Sequence, residues 1–317
     1  MSKIIAVTGA TGSQGGGLAR AILDDPRHGE PDGFTLRAIT RNRNGAKARA
    51  LASAGADVVV ADLTDPDSLT AAFTGAHGAY CVTNYWEHMD PSVEDAQARN
   101  LARAAKDAGL RHVIWSTLED TREAFPLDDD RMPTLLGRYK VPHFDVKADA
   151  NRYFRELGVP TTFLHPPFYW DNLASSFPPT TGEDGTLAIR LPMGTKKLAG
   201  IAADDIGRCA FGVFQRGDEF VGEAIGIAGE QLTLTQIAAA MSRVLGREIA
   251  YIAVSPEDFR SGGFPGSEDL GNMFQFYADT EADYCAFHDP AFSRALNPEL
   301  KSFDQWLQAN ADRFTLP

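Results

Sequence analysis

The chain has 317 residues, of which 44% are hydrophobic and 23% charged, and its formal net charge is −13. There is enough apolar material for one large domain or two smaller ones, and the mixed charge argues against wholesale disorder. The acidic balance argues against a non-specific nucleic-acid binder and against docking on anionic membranes, since both need a basic face.

The opening "MSKIIAVTGATG" places one lysine before a short apolar run that ends in glycine and threonine, which is no signal peptide. No stretch approaches the roughly 18 apolar residues of a membrane span. A cytoplasmic location without membrane attachment is expected. Cys81, Cys209 and Cys285 are scattered, with no CxxC pair or Cys/His cluster, so neither a disulfide framework nor a metal site is expected.

Short β-branched-rich runs recur at residues 3–8, 35–40, 57–62, 78–83, 112–117 and 161–166, several of them apolar on both faces. Helical stretches separate them, at residues 15–23, 46–54, a third opened by Asp65-Pro66, 92–108 and 142–157. Strand and helix alternating at this spacing predict βαβ units and a Rossmann-type, doubly wound parallel sheet. After Pro166 the rhythm breaks in "HPPFYWDN" and "FPPTTGEDG". Strands are expected at 187–191, 224–228 and 248–253, and helices at 204–214 and 233–245. A last helix spans 302–314, with Ser302 and Gln305 at capping-box spacing. The expected organisation is an α/β chain with a first domain over 1–165 and a smaller α/β lobe over 166–317. Part of 200–230 returns to the first sheet in this reading.

The loop "TGATGSQGG" follows the first strand and opens the first helix. Gly9 allows a tight turn, Gly12 lets the backbone approach a diphosphate, and Gly15 lets the helix pack against the strand. Thr11, Ser13 and Gln14 complete the expected contact surface. The second strand ends "ITRNRN", where an NAD-specific site usually carries Asp or Glu. Here stand Arg41 and Asn42, with Lys47 one turn into the helix. A guanidinium can grip a 2′-phosphate through two parallel bonds, so NADP(H) is the expected cofactor. Asp62 and Leu63 are expected beside the adenine, and Thr83, Asn84 and Tyr85 near the nicotinamide ribose.

These residues, with "VTNYWE", "HFDVKADANRYFRELGVPTT", "PPFYWDNL" and "GFPGSEDLGNMFQFYA", resemble the NmrA-like family over essentially the whole chain. That family holds atypical members of the short-chain dehydrogenase superfamily, and the chain is most similar to its redox-sensor branch. The resemblance implies a Rossmann lobe plus a small α/β lobe, NADP(H) in the cleft between them, and a homodimer. It also implies members that act through a protein partner, and other branches that are NADPH-dependent reductases.

Catalytic members of the superfamily carry a tyrosine four residues before the active lysine. Here Lys147 is preceded at that distance by His143, while Tyr139 lies before Pro142, outside the helix. Lys147 is placed for the ribose in this reading, and Ser116 or Thr117 could supply a hydroxyl for a carbonyl. His143 either fills space or hydrogen-bonds, or it acts as a general acid, and a neutral imidazole is the weaker acid. A third option makes Lys147 itself the proton donor, as in the isoflavone-reductase-like relatives. Tyr85, Trp86, Phe168, Tyr169 and Trp170 are read either as an aromatic wall or as packing beside the prolines, and Phe168 as a cofactor contact. Asn172 is expected to bond a ligand or cap a following helix. Two functions therefore stand side by side: a nucleotide sensor acting through a dimer or partner, and an NADPH-dependent reductase of a small-molecule carbonyl, quinone or enone.

Overall fold

The computed structural model describes residues 2–317. In chain order the first elements are β1 (Lys3–Val7), α1 (Ser13–Asp24), β2 (Phe34–Thr40), α2 (Ala46–Ser53), β3 (Asp57–Val60) and α3 (Pro66–Phe73). They are followed by β4 (Gly78–Cys81), α4 (Pro91–Asp107), β5 (His112–Ser116), α5 (Pro142–Glu156) and β6 (Thr161–His165). Then come β7 (Phe168–Tyr169), β8 (Thr180–Thr181), β9 (Leu187–Leu191), β10 (Lys197–Ile201), α6 (Ala203–Gln215) and β11 (Ala224–Gly226). The remainder is β12 (Glu230–Thr233), α7 (Leu234–Leu245), β13 (Ala250–Ala253), α8 (Pro256–Arg260), α9 (Ser267–Asp279), α10 (Glu281–Phe287), α11 (Pro290–Leu296) and α12 (Phe303–Ala309). Among these, no helix is long and apolar enough to cross a membrane.

Two compact units divide the chain. The first is Met1–Glu119, Val146–His165 and Ala203–Ile225; the second is Asp120–Asp145, Pro166–Ala202 and Gly226–Pro317. A single break at residue 165 therefore misses one feature. Residues 120–145, which carry no strand or helix periodicity before Pro142, belong to the second unit.

A seven-stranded sheet in the order β11-β6-β5-β4-β1-β2-β3 forms the centre of the first unit. Strands β1 to β6 pair in parallel. Strands β4 and β5 are buried at every residue, as a sheet covered on both faces requires. This is the doubly wound α/β architecture that the alternating pattern predicts. Helix starts are written locally: Asp65 accepts from the N–H of Asp67 and Ser68, with Pro66 opening α3, and Asp90 does the same for α4 through Ser92. Helices α1 and α6 touch backbone to backbone. A Cβ at Gly17 would lie 2.1 Å from the Asp204 carbonyl oxygen, and one at Gly207 would lie 2.0 Å from the Leu18 nitrogen. Asp204 then bonds Arg20 and, at 3.1 Å, Arg208.

Two three-stranded sheets, β12-β10-β7 and β13-β9-β8, build the second unit. Strands β7 and β8, of two residues each, are too short to show a period in the sequence, and β10 also falls outside the expected strands. Helix α7 begins in a Thr233/Gln236 capping box and ends at Gly246 in the left-handed conformation. The Ser302/Gln305 box also forms, although α12 stops at Ala309 and a 3-10 turn, Ala311–Arg313, replaces the rest of the expected helix. Aromatic packing fills the core: Phe274 lies against Phe168, Phe177 and Phe259, with ring centroids 5.4–5.9 Å apart. The α9 segment of the family-like "NMFQFYA" run is thus structural. Its Asn272 Nδ2 donates to the carbonyls of Lys140 and Pro133, and its Gln275 Nε2 to that of Arg131.

Candidate functional site

The glycine loop of the first unit is shaped for backbone approach. Gly9 has φ +62°, and the Gly12 N–H donates to its carbonyl at 2.8 Å. Gly15 has no room for a side chain, since a Cβ would lie 2.5 Å from the Gly9 oxygen. Gly12 is the extended N-cap of α1, and no side chain caps that terminus. Gly12 and Ser13 are exposed there. Lys47 reaches across from α2, its Nζ donating to the Thr11 carbonyl at 3.2 Å. Behind the loop, Gln14 Oε1 accepts from the Tyr80 hydroxyl and, at 2.8 Å, from Ser116 Oγ. The expectation that Ser116 presents its hydroxyl to a carbonyl meets a different arrangement: Ser116 is buried and bonded to Gln14 in the first turn of α1. Thr117 is also buried, donating to the Lys147 carbonyl at 3.1 Å.

Arg41 stands just past β2, where it lines a cleft of about 210 Å³ with Val60, Ala61, Asp62, Asp65 and Ser68. Its guanidinium is ion-paired with Glu87, which lies on the 3-10 turn Tyr85–Glu87. The Glu87 hydrogen bond, and then the Glu87 charge, hold the Arg41 side chain above its ordinary pKa. Asp62 is held by Thr64, whose N–H and hydroxyl donate at 2.8 and 2.6 Å and pull the carboxyl below its usual range. Asn42 forms the turn after β2 by accepting from the Asn44 N–H at 3.0 Å. Leu63 packs on the sheet, and its carbonyl accepts from Asn100 at 2.9 Å. Asn84 is the exposed N-cap of the 3-10 turn; Tyr85 is buried, with its ring edge-on to the exposed Trp86.

Lys147 closes a buried cluster. Its ammonium donates to Glu94 Oε1 at 2.5 Å and to Thr83 Oγ1 at 2.7 Å, and Thr83 donates in turn to Glu94 at 2.6 Å. Glu94 is 2% exposed and Lys147 8%. The Trp115 ring lies 5.5 Å from the ammonium. Sequence reading supplied the lysine and the threonine but not the glutamate, which looks in sequence like any first-turn acid of a helix.

In the second unit, His143 Nδ1 lies 2.6 Å from Asp269 Oδ1, and both side chains are buried. The hydrogen bond orients the His143 ring. Two residues on, Asp145 accepts from the N–H groups of Thr121, Lys140 and Val141 and from the Thr121 hydroxyl at 2.7–3.2 Å. Lys140 is buried, with its ammonium on the carbonyls of Asp129 and Met132. Tyr139 bridges back to Leu135, before the helix starts.

The expected aromatic wall is partly core. Trp170 is 1% exposed and packs against Phe303 and Trp306. It occupies space that a side chain at Gly200 or Gly229 would fill. Phe168 is likewise buried in the Phe274 cluster. Asn172 caps no following α-helix. It lies inside the 3-10 turn Trp170–Ala174, and its carbonyl accepts from the N–H groups of Ser175, Ser176 and Phe177.

The sequence pattern of the NmrA-like family matches residues 1–307. The chain belongs to the NmrA-like family. FrzB, an NmrA-like family domain-containing oxidoreductase of Cladobotryum sp, is 30% identical over 308 residues, covering 90% of this chain and 87% of its own. The solved structure of NmrA, a negative transcriptional regulator, in complex with NADP has a TM-score of 0.76 at 23% identity, over 97% of this chain and 94% of that one. Citrobacter sp. triphenylmethane reductase complexed with NADP(H) gives 0.72 at 22% identity, over 98% and 99%. Identities this low establish a shared fold for the two solved structures. NmrA-like membership itself rests on the sequence pattern and on FrzB.

Proposed function

We propose that this NmrA-like chain binds NADP(H) and works as a nucleotide sensor, with occupancy altering a dimer or partner interface. The glycine loop fits a diphosphate: Gly12 is exposed and extended, α1 has no side-chain cap, and Lys47 adds a positive charge beside Thr11. Arg41 would hold the 2′-phosphate and Lys147 the ribose. NmrA, solved with NADP and also with NAD, and triphenylmethane reductase, solved with NADP(H), support a nicotinamide dinucleotide here, and Arg41 favours the phosphorylated form.

One observation carries the sensor reading: the polar groups at the catalytic positions are already engaged. Lys147 is neutralised by Glu94, Ser116 is bonded to Gln14, and the tyrosine position holds His143. When bound, the reduced cofactor supplies a hydride; a reductase also needs a proton donor at the acceptor oxygen. Binding without turnover needs only that the two redox or occupancy states differ in their interaction with the protein.

The reductase reading is favoured by a different observation. His143 is oriented by Asp269, as an acid–base imidazole requires, and FrzB is named an oxidoreductase. NADPH oxidation measured across a panel of quinones and carbonyls, beside titration of NADP⁺ and NADPH, separates the two. Tight binding of one redox form with no turnover is expected. Robust turnover that is lost in His143→Ala with binding intact would replace the sensor by a histidine-dependent reductase. Arg41→Asp should weaken NADP(H) by about 2 kcal/mol or more, because repulsion replaces a charge-assisted pair. An unchanged NADP-to-NAD preference would remove Arg41 from the phosphate site.

A further inference from the structure

We infer that Glu87 is a specificity-determining residue: its carboxylate occupies the Arg41 guanidinium where the 2′-phosphate must bind, and it lowers the preference for NADP(H) over NAD(H). The inference rests on the reading that Arg41 receives that phosphate.

Several features set Glu87 apart from the other acids near Arg41. Asp65 caps α3 through the N–H groups of Asp67 and Ser68, and Asp62 is committed to Thr64. Neither carboxylate can follow the arginine without breaking a local turn. Glu87 has no such backbone duty. Its side chain is 37% exposed and that of Arg41 is 63%, so solvent reaches both. An exposed ion pair contributes little to folding, and the fold does not need this one. Yet its position is defined, because buried Tyr85 anchors the turn and Thr83, just before it, is bonded to Glu94 and Lys147. The carboxylate is therefore held within reach of the cation without stabilising the fold through it. Lys47 cannot substitute for the arginine while it is bonded to Thr11.

A 2′-phosphate carries more charge than a carboxylate and three acceptor oxygens, so it can displace Glu87 from the guanidinium. It then binds beside a carboxylate that has lost its counter-ion, and part of its affinity is spent on that exchange. A 2′-hydroxyl cannot displace Glu87, but it can donate to a carboxylate, as it does at the acidic residue of NAD sites. Glu87 thus penalises one cofactor and tolerates the other.

The test is titration of NADP⁺ and NAD⁺ against the wild-type chain, Glu87→Gln, Arg41→Ala and the double variant. A thermal melt of each variant checks that it is folded. Glu87→Gln is expected to tighten NADP⁺ by about two- to fivefold and to leave NAD⁺ unchanged or weaker, the range for one exposed charge pair. In the Arg41→Ala background, Glu87→Gln should have no more than the small effect of removing a distant negative charge. If Glu87→Gln leaves the NADP⁺-to-NAD⁺ ratio unchanged while Arg41→Ala lowers it, the phosphate site stands and the role of Glu87 is overturned. If Arg41→Ala also leaves the ratio unchanged, the phosphate reading and this inference fall together. If Glu87→Gln tightens both nucleotides equally, the residue acts by general charge and not as a discriminator.

Discussion

Lys147 and Glu94 meet inside the first unit, while Arg41 and Glu87 meet on its surface. Both are cation–carboxylate pairs, and both sit on residues expected to hold one nucleotide. Their surroundings make them opposites. The buried pair is shielded from water, so removing one member leaves a buried charge without its counter-ion. The exposed pair has water as an alternative for each partner, so either can be removed cheaply. The first is fit for fixing a framework and the second for exchange with a ligand.

The largest effect expected from this contrast is at Glu94. Glu94→Ala should cost about 3–5 kcal/mol of stability, read as a lowered denaturant midpoint with unchanged slope. Glu94→Leu combined with Lys147→Met should recover most of that loss, because two apolar groups replace two charges. A single variant that unfolds like wild type would show that water reaches the pair, and the contrast would collapse.

An intermediate effect belongs to a buried base without a carboxylate on its ring. His112 is buried with Nε2 2.8 Å from Thr162 Oγ1. Burial lowers its pKa from 6.5 to about 4, with Asp218 opposing and His77 adding to the fall. The unfolded chain takes up this proton near pH 6.5 and the folded chain only near pH 4. Its contribution is therefore fully present above about pH 6.5 and is lost as pH falls toward 4, by about 3 kcal/mol in all. Denaturant unfolding at pH 7.5 and pH 4.5 measures the loss. His112→Gln should flatten the slope relative to wild type. An equally steep variant would assign the acid sensitivity to other groups.

The smallest effect is at the surface. Arg41→Ala should change stability by less than about 1 kcal/mol in a thermal melt, and raising the salt concentration should shrink even that difference. A loss as large as that of Glu94→Ala would mean that Arg41 supports the fold and is not available to a ligand.

The sequence by itself determined the six parallel strands, the glycine loop at Gly9, Gly12 and Gly15, the Asp65 cap, the Ser302/Gln305 capping box and membership of the NmrA-like family. These are local: β-branched runs, cap spacing and obligate glycines act within a few residues of themselves. The candidate cations Arg41 and Lys147 were legible for the same reason, since each follows from its place after a strand or on a helix. Their partners were not. Glu87 lies 46 residues from Arg41, Glu94 lies 53 from Lys147, and Asp269 lies 126 from His143. No period or spacing encodes such distances. Only the tertiary structure decided which carboxylate faces which cation, because strand order and helix packing bring remote segments together. It also decided which of those pairs lost its water, and burial is what separates the framework pair from the exchangeable one.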